Sequence, residues 1–148
     1  MVTDALFKFV LPSHPRYLRV VRAAVGELGS VSGLPAEDCR AVILAVDEAL
    51  ANIIRHAYRG HFDRRIEVTC QAFADRLEFD LLDQGEPPDP DRLAPHPLDD
   101  VALSGRGTHI IRSIMDEVSY EQAPGGNRLR LSKRLPAVLS GVEEEGKS

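Results

Sequence analysis

In the run AVDEALANIIRHAYRG, residues 45–60, a glutamate and an asparagine stand four positions apart in an otherwise apolar helical pattern. Side chains at that spacing lie one above the other on a helix, so Glu48 and Asn52 turn a carboxylate and an amide oxygen to the same side. Asparagine is a poor mid-helix residue because its amide competes for backbone hydrogen bonds. At about 100° per residue, Ile43, Val46, Leu50, Ile54 and Ala57 gather into one stripe expected to pack on a sheet. Glu48 and Asn52 then fall roughly opposite, beside Ala41 and Ala45, which fits either a ligand surface or a solvated polar face. His56, a further turn along, is expected to be a helix-surface histidine without a catalytic role.

Two other places carry possible chemistry. Asp83 ends an alternating segment and is followed by Gln84 and Gly85, an order that suits a side chain facing a ligand beside a tight backbone turn, or simply a turn. Gly105 and Gly107 bracket Arg106 directly before a helical pattern, where unblocked N–H groups and a helix N-terminus can receive phosphate oxygens. Glycines also open helices for local reasons. The Walker pattern and the Rossmann pattern are both absent.

These residues need elements to hold them. Residues 4–11 alternate as a first strand, Ser13 is placed to cap a helix running to about Glu27, and Gly26, Gly29 and Gly33 are expected to end it. The longest helix spans residues 34–59, with Pro35 in its first turn, Glu37 and Asp38 near its positive end and Gly60 to stop it. Residues 64–75 and 76–85 read as two strands of a hairpin turning around Ala74 to Arg76. Residues 86–104 hold five prolines and five acidic residues, too proline-rich for a core helix or an inner strand, and are expected to form a surface loop. A short helix to about Asp116, a strand, a turn at Pro124 to Gly126 and a last strand come next. The order does not alternate strand and helix strictly. It predicts an α+β fold, a two-layer sandwich with helices on one face of a mostly antiparallel sheet.

Chain-wide properties narrow the partners. A chain of 148 residues is about one domain long, expected as a single domain over residues 1–136 with a polar, disordered tail over 137–148. The net charge of −5 comes with both signs scattered, which predicts no nucleic-acid partner and no anionic-lipid surface. Two cysteines, Cys39 and Cys70, lack metal-ligand spacing and suit a reducing, cytoplasmic setting. The amino terminus lacks the pattern of a secretory signal, and no run approaches the length of a membrane span.

The motifs occur in a fixed order: E-x-x-x-N on a helix, D-x-G after a strand, a long loop, then G-x-G opening a helix. In this order the chain resembles the GHKL, or Bergerat-fold, ATPase superfamily, and within it the anti-sigma factor serine/threonine kinases, over about residues 4–134. DEALANIIRHAY is similar to that family's N box, DQGEPPDP to its first glycine box and GRGTHIIRSIMDEVSY to its second. The resemblance implies ATP with magnesium, a lid formed by the proline-rich loop, and a homodimer built from the first strand and first helix. It implies Asn52 as magnesium ligand, Glu48 as general base, Asp83 as acceptor for the adenine amino group and Gly85 as the residue that lets the base approach. Gly105, Arg106, Gly107, Thr108 and His109 would line the phosphates, and Arg19 would reach the nucleotide site. Thr108 stands where leucine is common, His109 where some relatives have a third glycine, and Asn127 where threonine often follows glycine. The implied function is to sequester a sigma factor and phosphorylate an anti-sigma factor antagonist. A binding module without phosphoryl transfer is the alternative. The catalytic half of a histidine kinase fits less well, since Glu48 as base suits a hydroxyl acceptor.

Overall fold

The computed structural model describes residues 5–87 and 103–137. Strand β1 (Ala5–Pro12) leads through a 3-10 turn (Pro15–Tyr17) into α1 (Leu18–Val31) and α2 (Ala36–Asn52). A π-helical turn (Ile53–Ala57), β2 (Arg65–Ala72) and β3 (Arg76–Asp83) come next, then α3 (Leu103–Ile114), β4 (Glu117–Ala123) and β5 (Gly126–Arg134). All four strand pairings are antiparallel, in the order β1-β2-β3-β5-β4. The α+β sandwich with helices on one face is the architecture that the strand and helix patterns predict. The expected lid lies mostly outside the described residues, as does the expected tail beyond 137. Among the described residues, no helix is long and apolar enough to cross a membrane.

Period-two alternation makes the hairpin. Ile66, Val68, Cys70 and Ala72 of β2 are buried on one face, as are Leu77, Phe79 and Leu81 of β3. The opposite face is polar, with cross-strand pairs such as Arg130 on Asp80 at 2.8 Å and Lys8 on Glu67 at 3.2 Å. Such exposed pairs give register more than stability. Asp83 continues the inward series of β3, in the place where a fourth apolar residue would sit.

Several local expectations change. Helix α1 does not stop at Gly26 or Gly29. Both lie inside it, where an added β-carbon would come within 2.9 Å of Ile43 and 3.0 Å of Cys39. They let α1 approach α2 closely, and only Gly33, at φ +99°, takes the terminating role. Ser13 caps nothing: its buried hydroxyl donates to the His61 carbonyl at 2.6 Å and accepts from the Arg64 N–H at 3.0 Å, while His14 caps the 3-10 turn. Helix α2 is covered by α1 and α3 as well as the sheet, so its buried arc is wider than one stripe. Ala45 is fully buried along with Val42, Val46, Ala49 and Leu50, whereas Ile43 is only partly so.

The long helix is also not α-helical to its end. Beyond Asn52 the Tyr58 N–H reaches back to the Ile53 carbonyl at 2.9 Å, a π spacing. The extra residue in that turn shifts the later positions around the axis relative to a regular wheel, and Ala57 packs against the core only in part.

At the start of β5, Gly126 has φ +133° and a β-carbon there would meet the Asp83 carbonyl oxygen at 2.1 Å. Gly125 has open space. Gly126→Ala should lower unfolding free energy by about 2 kcal/mol or more, and Gly125→Ala by less than about 0.5 kcal/mol, in urea titrations. Equal effects would show that the close approach is not a constraint.

Candidate functional site

The π turn and the loop after β3 meet backbone to backbone. The Ala57 carbonyl accepts the Glu86 N–H at 2.9 Å, and a β-carbon on Gly85 would lie 2.3 Å from that oxygen. Buried Tyr58 clasps the same junction: its hydroxyl donates to the Arg65 carbonyl and accepts the Gln84 N–H at 2.8 Å. Burial pushes the Tyr58 hydroxyl above its ordinary range, keeping it a neutral donor. On the surface, Arg59 closes a two-pronged pair with Glu86, Nε to Oε2 at 2.9 Å and Nη2 to Oε1 at 3.0 Å.

Beside this junction a cleft of about 530 Å³ opens between α2, the π turn, α3 and the β4–β5 end of the sheet. Asn52, Asp83 and Thr108, from three separate segments, all line it. Its apolar lining includes Ala49, Ile53, Ile111, Val118 and Leu129, and Arg55, His56 and Arg112 also line it. The volume and the mixture of apolar wall with few polar groups are those of a small-molecule pocket.

Asp83 is 5% exposed. Its Oδ1 accepts the Gly85 N–H and Asn127 Nδ2, each at 2.9 Å. Asn127 Nδ2 also donates to the Gly85 carbonyl at 2.9 Å, and Asn127 Oδ1 accepts the Tyr120 hydroxyl at 2.9 Å. Burial raises the Asp83 carboxyl above the ordinary aspartate value, against the opposing pull of Asn127 and the Gly85 N–H. Tyr120 is raised too, by burial first and by the Asp83 charge second.

Other predicted residues are placed differently. Asn52 ends α2, and its Oδ1 accepts Arg55 Nη2 at 2.9 Å. Glu48 is half-buried one turn earlier and does not line the cleft. Arg19 is exposed near the start of α1, and His109 is exposed on α3; neither lines the cleft. Gly105, Arg106 and Gly107 do not precede a helix, since α3 begins at Leu103. Gly105 thus falls in the opening turn, whose N–H groups lack an intrahelical acceptor, and Gly107 falls beyond it. His56, on the surface of the π turn, lines the cleft as well. Sequence reasoning misses Tyr120, Tyr58 and Arg55. Tyr120 could have been found from its register, since β4 pairs it with Leu129, two residues from Asn127.

Residues 11–133 match the family of histidine kinase-like ATPase domains. The chain belongs to that family. The serine-protein kinase RsbW of Bacillus pumilus is 30% identical over 143 residues, covering 90% of this chain and 88% of that one. RsbW of Bacillus velezensis is 31% identical over 123 residues, 78% and 77% of the two chains. Together these matches put the chain in the GHKL branch of anti-sigma factor kinases that its motifs resemble, and its enzymatic class is protein serine/threonine kinase. The crystal structure of the RsbU and RsbW domains of a Mycobacterium tuberculosis protein superposes with a TM-score of 0.65 at 20% identity. It shares the fold over 90% of this chain, which spans 34% of that longer one.

The raised Asp83 carboxyl has a thermodynamic sign. Its charged form is disfavoured in the fold, so the penalty is absent below the ordinary aspartate value of 3.8, grows as pH rises and is complete above the raised folded value. Asparagine at this position keeps an acceptor oxygen without the charge. Asp83→Asn should therefore melt higher than wild type at pH 7 by scanning calorimetry, with the gain vanishing below pH 3.8. A lower melting temperature at pH 7 would contradict this assignment.

Proposed function

We propose that the cleft binds ATP with magnesium, and that the protein is a cytoplasmic kinase that sequesters a sigma factor and phosphorylates a serine or threonine of its antagonist. The observation that carries this reading is the convergence of Asn52, Asp83 and Thr108 on one cleft, in a chain of the histidine kinase-like ATPase family. Asp83 accepts the adenine amino group, and Gly85, expected to admit the base, instead makes room for the Ala57 carbonyl and so holds Asp83 beside the cleft. The free N–H groups of Gly105 and Arg106, in the opening turn of α3, serve the phosphates, with Thr108 lining the cleft beside them; His109 and Arg19, both outside the cleft lining, serve them only if the segments carrying them shift on binding.

Among the described residues, no three His, Cys, Asp or Glu side chains cluster to cage a metal. That fits magnesium, which takes few protein oxygens and keeps water and phosphate ligands. Asn52 Oδ1 is a suitable hard donor, and Arg55 must release it for a cation to be held. Magnesium, when bound, would neutralise phosphate charge. Glu48 takes the proton of the acceptor hydroxyl as that oxygen bonds the γ-phosphorus. The bond from the γ-phosphorus to the bridging oxygen breaks, and ADP leaves. Sequestration without transfer is the second reading, favoured by the position of Glu48 outside the cleft lining.

The two readings part at two residues. Asn52→Ala should weaken ATP binding and phosphoryl transfer together. Glu48→Gln should spare ATP affinity and slow single-turnover phosphorylation of the antagonist by about 10²-fold or more. A wild-type transfer rate in Glu48→Gln would remove the general base, and no transfer by the wild type would leave the sequestering module.

The homodimer is also part of this reading. Neighbouring residues of a strand face opposite sides, yet Leu6 and Phe7 of β1 are 57% and 50% exposed, so neither face of the sheet is covered at that edge. A free apolar edge is a pairing surface. Light scattering should give twice the chain mass, and Phe7→Lys should shift the protein toward monomer. A wild-type monomer at all concentrations would exclude the dimer.

A further inference from the structure

We infer that Asn127 is a specificity-determining positioning residue, which makes Asp83 a single-acceptor reader that takes adenine and rejects guanine. The inference rests on the reading of the cleft as a nucleotide site and goes beyond it by assigning the discrimination to a residue that does not itself need to touch the base.

The orientation of the Asn127 amide is set by its neighbours. Nδ2 faces two groups that can only accept, the Asp83 carboxylate and the Gly85 carbonyl, each at 2.9 Å. An amide oxygen in that place would meet two acceptors, so the nitrogen must be there. Oδ1 consequently points to Tyr120, whose hydroxyl donates to it at 2.9 Å. Both protons of the amide are used, and Asn127 has none left for a ligand.

The effect on Asp83 is to fill one of its oxygens. Oδ1 has two lone pairs and two donors, Asn127 Nδ2 and the Gly85 N–H. Among the described residues nothing bonds Oδ2, so the carboxylate offers one oxygen toward the cleft. Adenine presents one exocyclic amine on the edge that would meet it, and a ring nitrogen that accepts. Guanine presents a ring N–H beside an exocyclic amine, a parallel donor pair that needs both carboxylate oxygens. With Oδ1 occupied, one guanine donor is buried without an acceptor, a cost that lowers affinity by roughly tenfold or more. The Asp83–Asn127 pairing across β3 and β5 holds this arrangement in the sheet register.

The test is a titration of wild type, Asn127→Leu, Asn127→Thr and Tyr120→Phe with fluorescent ATP and GTP analogues, with melting temperatures recorded alongside. Leucine removes both donors, and threonine can supply at most one. Wild type should prefer ATP by at least about tenfold. The ATP-to-GTP affinity ratio should fall in both Asn127 variants by about that factor, while Tyr120→Phe, which keeps both donors, should shift it less. The ratio separates this role from a merely structural one, since loss of packing weakens both nucleotides alike. If Asn127→Leu does not fold, Asn127→Thr and the wild-type ratio decide. Equal binding of ATP and GTP by wild type, or an unchanged ratio in a folded Asn127 variant, overturns the inference while leaving the nucleotide site. Binding of neither nucleotide overturns the nucleotide reading itself.

Discussion

A β-carbon at position 85 would stand 2.3 Å from the carbonyl oxygen of Ala57, closer than two unbonded heavy atoms can approach. The segment carrying Asp83 can therefore meet the helix carrying Asn52 only through glycine. The contact is also a hydrogen bond, because the Ala57 carbonyl takes the Glu86 N–H. Other features of the cleft depend on this junction. Tyr58 can reach both β2 and Gln84 only because the π turn lies against the loop, and the Gly85 N–H and carbonyl are thereby positioned for Asp83 and Asn127.

Asp83 occupies a core position that an apolar residue would fill at no electrostatic cost. Leu77, Phe79 and Leu81 precede it on the same face of β3, and each is fully buried. The Asn127 amide and the Gly85 N–H lessen the penalty without removing it, since the carboxyl remains raised. Strand, register and a second glycine at 126 are all spent on holding a charge where folding alone would not choose one. That is the usual relation between binding sites and stability.

Elements set by simple periodicity were legible in the chain. The hairpin of β2 and β3, the long helix and the placement of Asp83 at a strand end all come from alternation and from apolar spacing. The features that escape such reading depend on partners distant in sequence. Gly26 and Gly29 read as helix stops because glycine is a weak helix former, while the reason for them is the closeness of α2. Ser13 has the residue type of a cap, yet its hydroxyl serves the segment near His61 and Arg64. A helical wheel for α2 assumes one buried side and a constant pitch; Ala45 breaks the first assumption and the π turn the second. Asn127 reads in sequence only as a departure from threonine; that its amide joins Asp83, Gly85 and Tyr120 needs the antiparallel register of β3, β5 and β4 to be known.

The π turn also bears on which substitutions this segment can take. A π turn holds one residue more than an α turn, so a substitution that rewound Ile53–Ala57 as continuous α-helix at unchanged length would turn every later residue of it by about 100°. Ala57 would then turn away from Gly85 at a stroke, with no intermediate geometry in between. Surface loops can absorb such changes gradually, whereas this segment has an all-or-nothing relation between winding and site integrity. The winding from Asn52 to Tyr58, rather than any one side chain in it, therefore behaves as a fixed ruler.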